Sequence, residues 1–242
     1  MTRGLRQALA ELLTPGESNE MTHFKVEQHG GVTLVTLDNP PYNTVHADLM
    51  RDGARFFADL ASSQETKAVV FTGAGDNYSR GMDIKVAASL TEETRADTRA
   101  VLNEMMANMH RLPCPLVSAV NGHAIGAGGI MMLTCDWVIA AEGDYKIGLP
   151  EAKAGLAFPT VPQAIIDHWL DPVWRRRLAL TSQLFGPHEA ALTGMVDEVV
   201  PADTLVELAI QRAEELAAQP AFKDCKRQLR AKANAEIDGL LA

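Results

Sequence analysis

The alternation of apolar and polar positions along the chain is that of an α/β protein. Phe24–Gln28 and Val32–Leu37 have strand character and flank the turn His29-Gly30-Gly31, which predicts a β-hairpin. Asn39-Pro40-Pro41 stops the second strand, because proline has no N–H to give a ladder. From residue 46 to 60 the apolar positions Leu49, Met50, Phe56, Phe57 and Leu60 recur at helical spacing. Ala68–Thr72 is a short apolar strand, followed by a turn-rich stretch to Gly81. Residues 91–112 carry Val101, Leu102, Met105, Met106 and Met109 in an otherwise polar segment, a second helix that Pro113 ends. Pro115–Val120 is the next strand and Asn121-Gly122 a turn, after which Gly126-Ala127-Gly128-Gly129 opens a helix through about Thr134. Trp137–Ala141 is another strand. Helices near 162–170 and 172–182, a last strand at Val196–Val200, and two closing helices at about 202–218 and 222–240 complete the pattern. Strands and helices alternate from 24 to 200, which fixes the class as α/β.

Three segments follow from this pattern. Residues 1–20 read as an N-terminal extension, expected to be mobile. Leu5, Leu9, Leu12 and Leu13 make one apolar stripe there, and Thr14-Pro15-Gly16-Glu17-Ser18-Asn19 has linker composition. A targeting peptide is the alternative, but the stretch lacks a signal-peptide apolar core and carries Glu11, Glu17 and Glu20. Residues 21–200 form the α/β core and 201–242 a helical tail, whose apolar faces must pack on the core or on another subunit.

Composition narrows the function classes. A hydrophobic content of 47% over 242 residues supports one sizeable core. The net charge of −9 is the reverse of what a nucleic-acid binder carries. Three unpaired-looking cysteines, Cys114, Cys135 and Cys225, disfavour a disulfide framework or a zinc knuckle and fit a reducing cytoplasm. No apolar run reaches the length of a membrane span, so no membrane partner is expected.

Two loops carry the candidate chemistry, and each follows a strand. One is Tyr78-Ser79-Arg80-Gly81-Met82-Asp83-Ile84-Lys85; the other runs from Val120 to Gly129. A glycine-rich turn opening a helix presents free N–H groups with partial positive charge, able to hold a phosphate or an enolate oxygen. Gly126-x-Gly128-Gly129 lacks the third glycine of a dinucleotide fingerprint and lies late in the chain, which disfavours a dinucleotide-dependent oxidoreductase. No Gly-Lys-Ser/Thr follows it, so it is not a phosphate loop either.

The chain resembles the crotonase (enoyl-CoA hydratase/isomerase) superfamily. The matching pieces are Asn39-Pro40-Pro41-x-Asn43, Ser79-x-Gly81-Met82-Asp83-Ile84, Val120-Asn121-Gly122, Gly128-Gly129 leading to Cys135-Asp136, Gly148-Leu149-Pro150-Glu151, and Gly194 with Val196-Asp197-Glu198-Val199-Val200-Pro201. Each is weak alone; their order and spacing over residues 24–220 are specific. The resemblance implies a crotonase-like spiral of ββα units with a C-terminal helical region, assembled as a homotrimer or dimer of trimers. It implies an acyl-CoA thioester as substrate, with no cofactor beyond that coenzyme A and no metal. It also implies an oxyanion hole made by the backbone N–H groups of Met82 and Ala127. The acyl-CoA would lie against Asn43, Arg80, Gly81, Asp83, Ile84, Gly128, Ile130 and Pro150.

One departure from the family pattern directs the choice of reaction. Family hydratases carry two glutamates, one just after the glycine-rich turn and one after the later proline. Here those positions are Ile130 and Glu151. Adding water calls for acid and base assistance around that water, whereas moving a double bond needs one carboxylate to take a proton from C2 and return it at C4. Residues 145–151 with Gly155-Leu156 resemble Δ3,Δ2-enoyl-CoA isomerases, so Glu151 is expected to be the catalytic acid/base of such an isomerase, with its pKa raised by apolar surroundings. Hydration, thioester hydrolysis and C–C cleavage are the rival crotonase reactions, with Asp83, Glu142 or Asp144 as sources of a second acid. A non-catalytic CoA-binding subunit is the rival from another class.

Other conspicuous residues have plainer readings. Asp83 reads as a loop cap before a general acid. His46, His110 and His123 have no metal-like spacing and read as structural. Arg175-Arg176-Arg177 reads as a solvated helix face or subunit contact rather than a phosphate clamp, and Met105, Met106 and Met109 read as core.

Overall fold

The structure, a computed structural model, describes residues 23–241, so the expected extension over 1–20 lies outside the described residues. Strands β1 (Phe24–His29) and β2 (Val32–Leu37) pair antiparallel with Phe24 opposite Leu37 and His29 opposite Val32. The connecting turn is Gly30-Gly31, and Gly30 takes φ 62°, the left-handed value such a tight hairpin requires. Helix α1 (Ala47–Ser62) follows, capped by His46, whose ring nitrogen accepts from the Leu49 N–H. Then come β3 (Ala68–Gly73), β4 (Asn77–Ser79), α2 (Ile84–Ser89), α3 (Glu92–His110), β5 (Leu116–Val120), β6 (His123–Ile125), α4 (Ala127–Leu133), β7 (Trp137–Ala141) and β8 (Ile147–Gly148). Helices α5 (Thr160–Trp169), α6 (Pro172–Thr181) and α7 (Pro187–Ala191) precede β9 (Glu198–Val200). A 3-10 turn (Ala202–Thr204) leads to α8 (Leu205–Ala217), α9 (Phe222–Leu229) and α10 (Ala231–Leu241).

The strands form two sheets. The larger has the order β1-β2-β3-β5-β7-β9, parallel apart from the first pair; the smaller is parallel with the order β4-β6-β8. Each successive turn of chain gives one strand to each sheet: β3 then β4, β5 then β6, β7 then β8. This is the spiral that the motifs implied. The central strands of the large sheet are covered on both sides, and so β3 (AVVFTG) and β5 (LVSAV) are buried at every position.

One apolar core fills the space between the large sheet and helices α1, α3, α4 and α5. The methionines of α3 belong to it: Met105 and Met106 are buried, and a Cβ added at Gly53 of α1 would meet Met105 Sδ at 2.6 Å. A second core covers the opposite face, where Leu205, Ala209 and Ala213 of α8 lie on Val32, Val70, Val117 and Ile139. The helical tail therefore packs on the α/β body. Its end is fixed by Arg230, nearly fully buried, which donates to the carbonyls of His110, Thr134 and Cys135 and pairs with Asp136 at 2.6 Å. Lys226 pairs with the other Asp136 oxygen at 2.6 Å. A single closing helix over 222–240 was expected; it is two, α9 and α10, and the break falls at Arg230, where the guanidinium is drawn into that cluster.

No helix among the described residues is long and apolar enough to cross a membrane, and no group of three or more His, Cys, Asp or Glu residues among them could hold a metal ion.

Candidate active site

The site is built where the three strands of the small sheet end. Loops leaving the carboxyl ends of β4, β6 and β8 carry Gly81-Met82, Gly126-Ala127 and Leu149-Pro150-Glu151 respectively. Because these strands are parallel neighbours, their following loops meet at one edge, the usual place for a ligand in such sheets.

Close backbone approach makes the meeting possible. Gly81 has φ 71°, and a Cβ there would lie 2.5 Å from the Ile125 carbonyl oxygen and 3.0 Å from the Ala127 nitrogen. The amide of Met82, next in sequence, is thereby brought beside that of Ala127. Among the described residues neither amide donates a hydrogen bond to the chain. Met82 is held from the other side by a bridge to Val45, whose N–H donates to the Gly81 carbonyl at 3.0 Å. Ala127 is the first residue of α4, where the N–H groups have no partner within the helix.

Glu151 stands beside the second of these loops. Its side chain lies against Gly126: a Cβ added there would be 3.5 Å from Glu151 Oε1. Gly126 has φ 59°, so the position excludes a side chain on conformational grounds as well. Glu151 is only 8% exposed and is the only aspartate or glutamate that is fully buried among the described residues; its Oε2 has no hydrogen-bond partner. Burial pushes its carboxyl from the ordinary 4.5 up to about 7, and its own backbone N–H offsets only part of this. Ile130, buried on α4, supplies apolar surface on the helix that the glycine loop opens.

Other expected substrate contacts fall in different places. The Asn43 side chain is committed within the protein: Oδ1 accepts from the Asn39 N–H, and Nδ2 donates to the carbonyls of Ala74 at 2.9 Å and Asn77 at 2.6 Å. It is buried and clamps the loops after β2 and β3. Gly128 is likewise turned to the protein, since a Cβ there would sit 2.2 Å from the Ser79 carbonyl oxygen; it lets α4 approach β4. The Asp83 carboxylate caps α2, accepting from Lys85 N–H at 2.8 Å and from Val86 N–H, as its reading as a cap anticipated. Ile84 begins that helix. Arg80 is exposed, with its guanidinium 4.5 Å above the Tyr42 ring and Nε donating to Asn77 Oδ1 at 2.8 Å. Pro150 is half-buried beside Glu151, and its carbonyl accepts from the Ala154 N–H. Glu142 and Asp144, the other suggested acids, are both exposed.

The plainer readings hold for the rest. His110 pairs with Asn234 through Nδ1, and His123 Nδ1 accepts from the Lys146 N–H. Arg175 pairs with Asp167, and Arg177 lies over Trp174. That Gly126 faces the carboxylate has only one signal in the sequence, a glycine just before the helix.

The Enoyl-CoA hydratase/isomerase family model matches residues 27–240. The chain belongs to that family. As a crotonase-family enzyme it acts on acyl-CoA thioesters. Carnitinyl-CoA dehydratase of Citrobacter koseri is 28% identical over 199 residues, which cover 82% of this chain and 75% of the relative. Among solved structures, Pseudomonas aeruginosa DspI superposes with a TM-score of 0.82 at 24% identity, covering 94% of each chain. The human mitochondrial delta3-delta2-enoyl-CoA isomerase superposes with a TM-score of 0.83 at 24% identity, covering 90% of each. These two likenesses speak for the crotonase fold.

Proposed function

We propose that this enzyme isomerises 3-enoyl-CoA to 2-enoyl-CoA by a proton shuttle on a single carboxylate. Ionised Glu151 takes a proton from C2 of the acyl chain. The C2–H electrons form a C1=C2 double bond and the carbonyl π pair moves onto the thioester oxygen. The C3=C4 bond is kept, so the anion is a conjugated dienolate, and C2=C3 forms only when C4 takes up the proton. The N–H groups of Met82 and Ala127 donate to that oxygen, in a site where such donors cost no reorganisation. Glu151, now protonated, returns the proton at C4, the charge flows back from the oxygen, and the 2-enoyl thioester leaves. A carboxyl that titrates near 7 suits a group that must take and give the same proton at neutral pH.

The observation that carries this reading is the isolation of Glu151. It is the only fully buried carboxylic residue described, it lies over Gly126 beside the Ala127 amide, and the helix behind it offers Ile130 rather than a second acid. In this reading Arg80 and the chain through Ile84 would border the CoA arm. A homotrimer, or dimer of trimers, is part of the same reading.

The test is turnover of a 3-enoyl-CoA by the wild type and by Glu151→Gln. A positioned acid/base contributes roughly 10²–10⁴-fold, so the variant should lose at least a hundredfold in kcat. Undiminished turnover removes Glu151 from the mechanism. A second reading, elimination or addition of water, is favoured by the relatives named carnitinyl-CoA dehydratase.

A further inference from the structure

Glu151 belongs to no helix or strand. It sits on a turn between β8 and α5, held internally by Ala154 N–H to the Pro150 carbonyl at 3.0 Å, Gly155 N–H to that of Ala152 at 3.2 Å, and Leu156 N–H to that of Glu151 at 2.9 Å. Three bonds within one short turn do not fix it relative to the Ala127 loop. A second segment, residues 182–185 after α6, lies along it. Ile147 and Phe185 exchange two backbone hydrogen bonds of 2.9 Å each. Gly148 passes so near that a Cβ would be 2.8 Å from the Gln183 carbonyl oxygen.

The segment begins at Ser182. This residue is buried and takes φ 54°, a conformation that serine adopts reluctantly and that glycine or asparagine takes readily. Its Oγ accepts a hydrogen bond of 3.0 Å from the amide of Lys153, two residues past Glu151. Its own N–H closes α6 on the Leu178 carbonyl. The hydroxyl thus joins the end of α6 to the Glu151 turn at a point that the turn's own bonds leave free.

We propose that Ser182 is a positioning residue, which holds the Glu151 turn in place over the Gly126-Ala127 loop through its hydroxyl on the Lys153 amide. The proposal rests on the reading of Glu151 as the acid/base. Ser182 touches no reacting atom; it acts on where the carboxylate stands and on how well the turn keeps water from it. Partners that orient metal ligands are worth about ten- to a hundredfold, and the lower end of that range is the effect expected for a hydroxyl acting on the Glu151 turn.

Two variants separate the hydrogen bond from backbone conformation. Ser182→Gly removes the hydroxyl and relieves φ, so folding is not at stake; Ser182→Asn keeps the left-handed backbone and offers a side-chain carbonyl to the Lys153 amide. In Ser182→Gly, kcat on a 3-enoyl-CoA is expected to fall about tenfold with KM within twofold. The Glu151 carboxyl, followed by carbon NMR of glutamate-labelled protein and assigned with Glu151→Gln, is expected to titrate at lower pH than in the wild type. Ser182→Asn should restore both. An unchanged titration and kcat in Ser182→Gly, or an asparagine variant as impaired as the glycine one, overturns the proposal. The carboxyl titration is read without turnover, so it stands apart from the Glu151→Gln assay that tests the acid/base reading itself.

Discussion

Replacing Glu151 by glutamine should change the pH dependence of stability. Burial raises the Glu151 carboxyl from 4.5 to about 7 in the folded chain, while in the unfolded chain it returns to its ordinary value. Between those two pH values the folded state binds more protons than the unfolded state, and stability falls as pH rises. The difference between about 7 and 4.5 is about 2.5 pH units; at roughly 1.4 kcal/mol per unit, the buried charge costs about 3.5 kcal/mol once pH is well above 7. Below 4.5 the cost is absent. Glutamine resembles the protonated carboxyl in shape and does not ionise, so the variant is spared it. Urea unfolding of both proteins at pH 5 and pH 8.5 is the assay. The variant should gain on the wild type by about 2–3 kcal/mol between the two pH values, because every other titrating group is common to both and cancels. Parallel stabilities would refute the claim that Glu151 is held in an apolar, water-poor site.

Three further outcomes follow from the same geometry. kcat/KM on a 3-enoyl-CoA should rise about tenfold per pH unit below about 7 and level off above it, because the base must be ionised to take the C2 proton; a flat profile from pH 5 to 8 contradicts this. Gly81→Ala places a Cβ 2.5 Å from the Ile125 oxygen at a φ of 71°, and should lower kcat about a hundredfold by displacing the Met82 amide from that of Ala127; wild-type kcat in a folded variant contradicts it. Arg230→Met strips the tail of its buried guanidinium, leaves three carbonyls and half of Asp136 without it, and should cost about 3–5 kcal/mol in urea unfolding, with an unchanged midpoint as the contrary result.

The long elements were legible because their apolar spacing is local: α1, α3, β3, β5 and β7 lie where the pattern put them. The strands of the small sheet were not. β4 and β6 have three residues each and β8 two, too few to show a period, and they exist because the spiral brings them side by side. The last predicted strand began two residues early, at Val196, since Val196 is buried without being in the ladder. α2 and α7, of six and five residues, were missed for the same reason of length, and the break at Arg230 depends on carbonyls over ninety residues away.

The site was legible in part. Glu151, Met82 and Ala127 were placed by motif, and the three meet at one edge. The clamping hydrogen bonds of Asn43 were not legible, because its partners Ala74 and Asn77 lie more than thirty residues on. Ser182 left no trace in Thr181-Ser182-Gln183, which reads as an ordinary polar helix end; its use depends on a left-handed backbone and on a partner twenty-nine residues away.

The measurement that bears most directly on a single-carboxylate enzyme is a side-by-side assay of one preparation on a 3-enoyl-CoA and on crotonyl-CoA. The expected result is rapid conversion of the 3-enoyl thioester to its 2-enoyl isomer and water addition slower by at least about a hundredfold, the share that a missing acid or base commonly represents. Hydration as fast as isomerisation would contradict it, and would mean that a second proton donor reaches the site opposite Glu151.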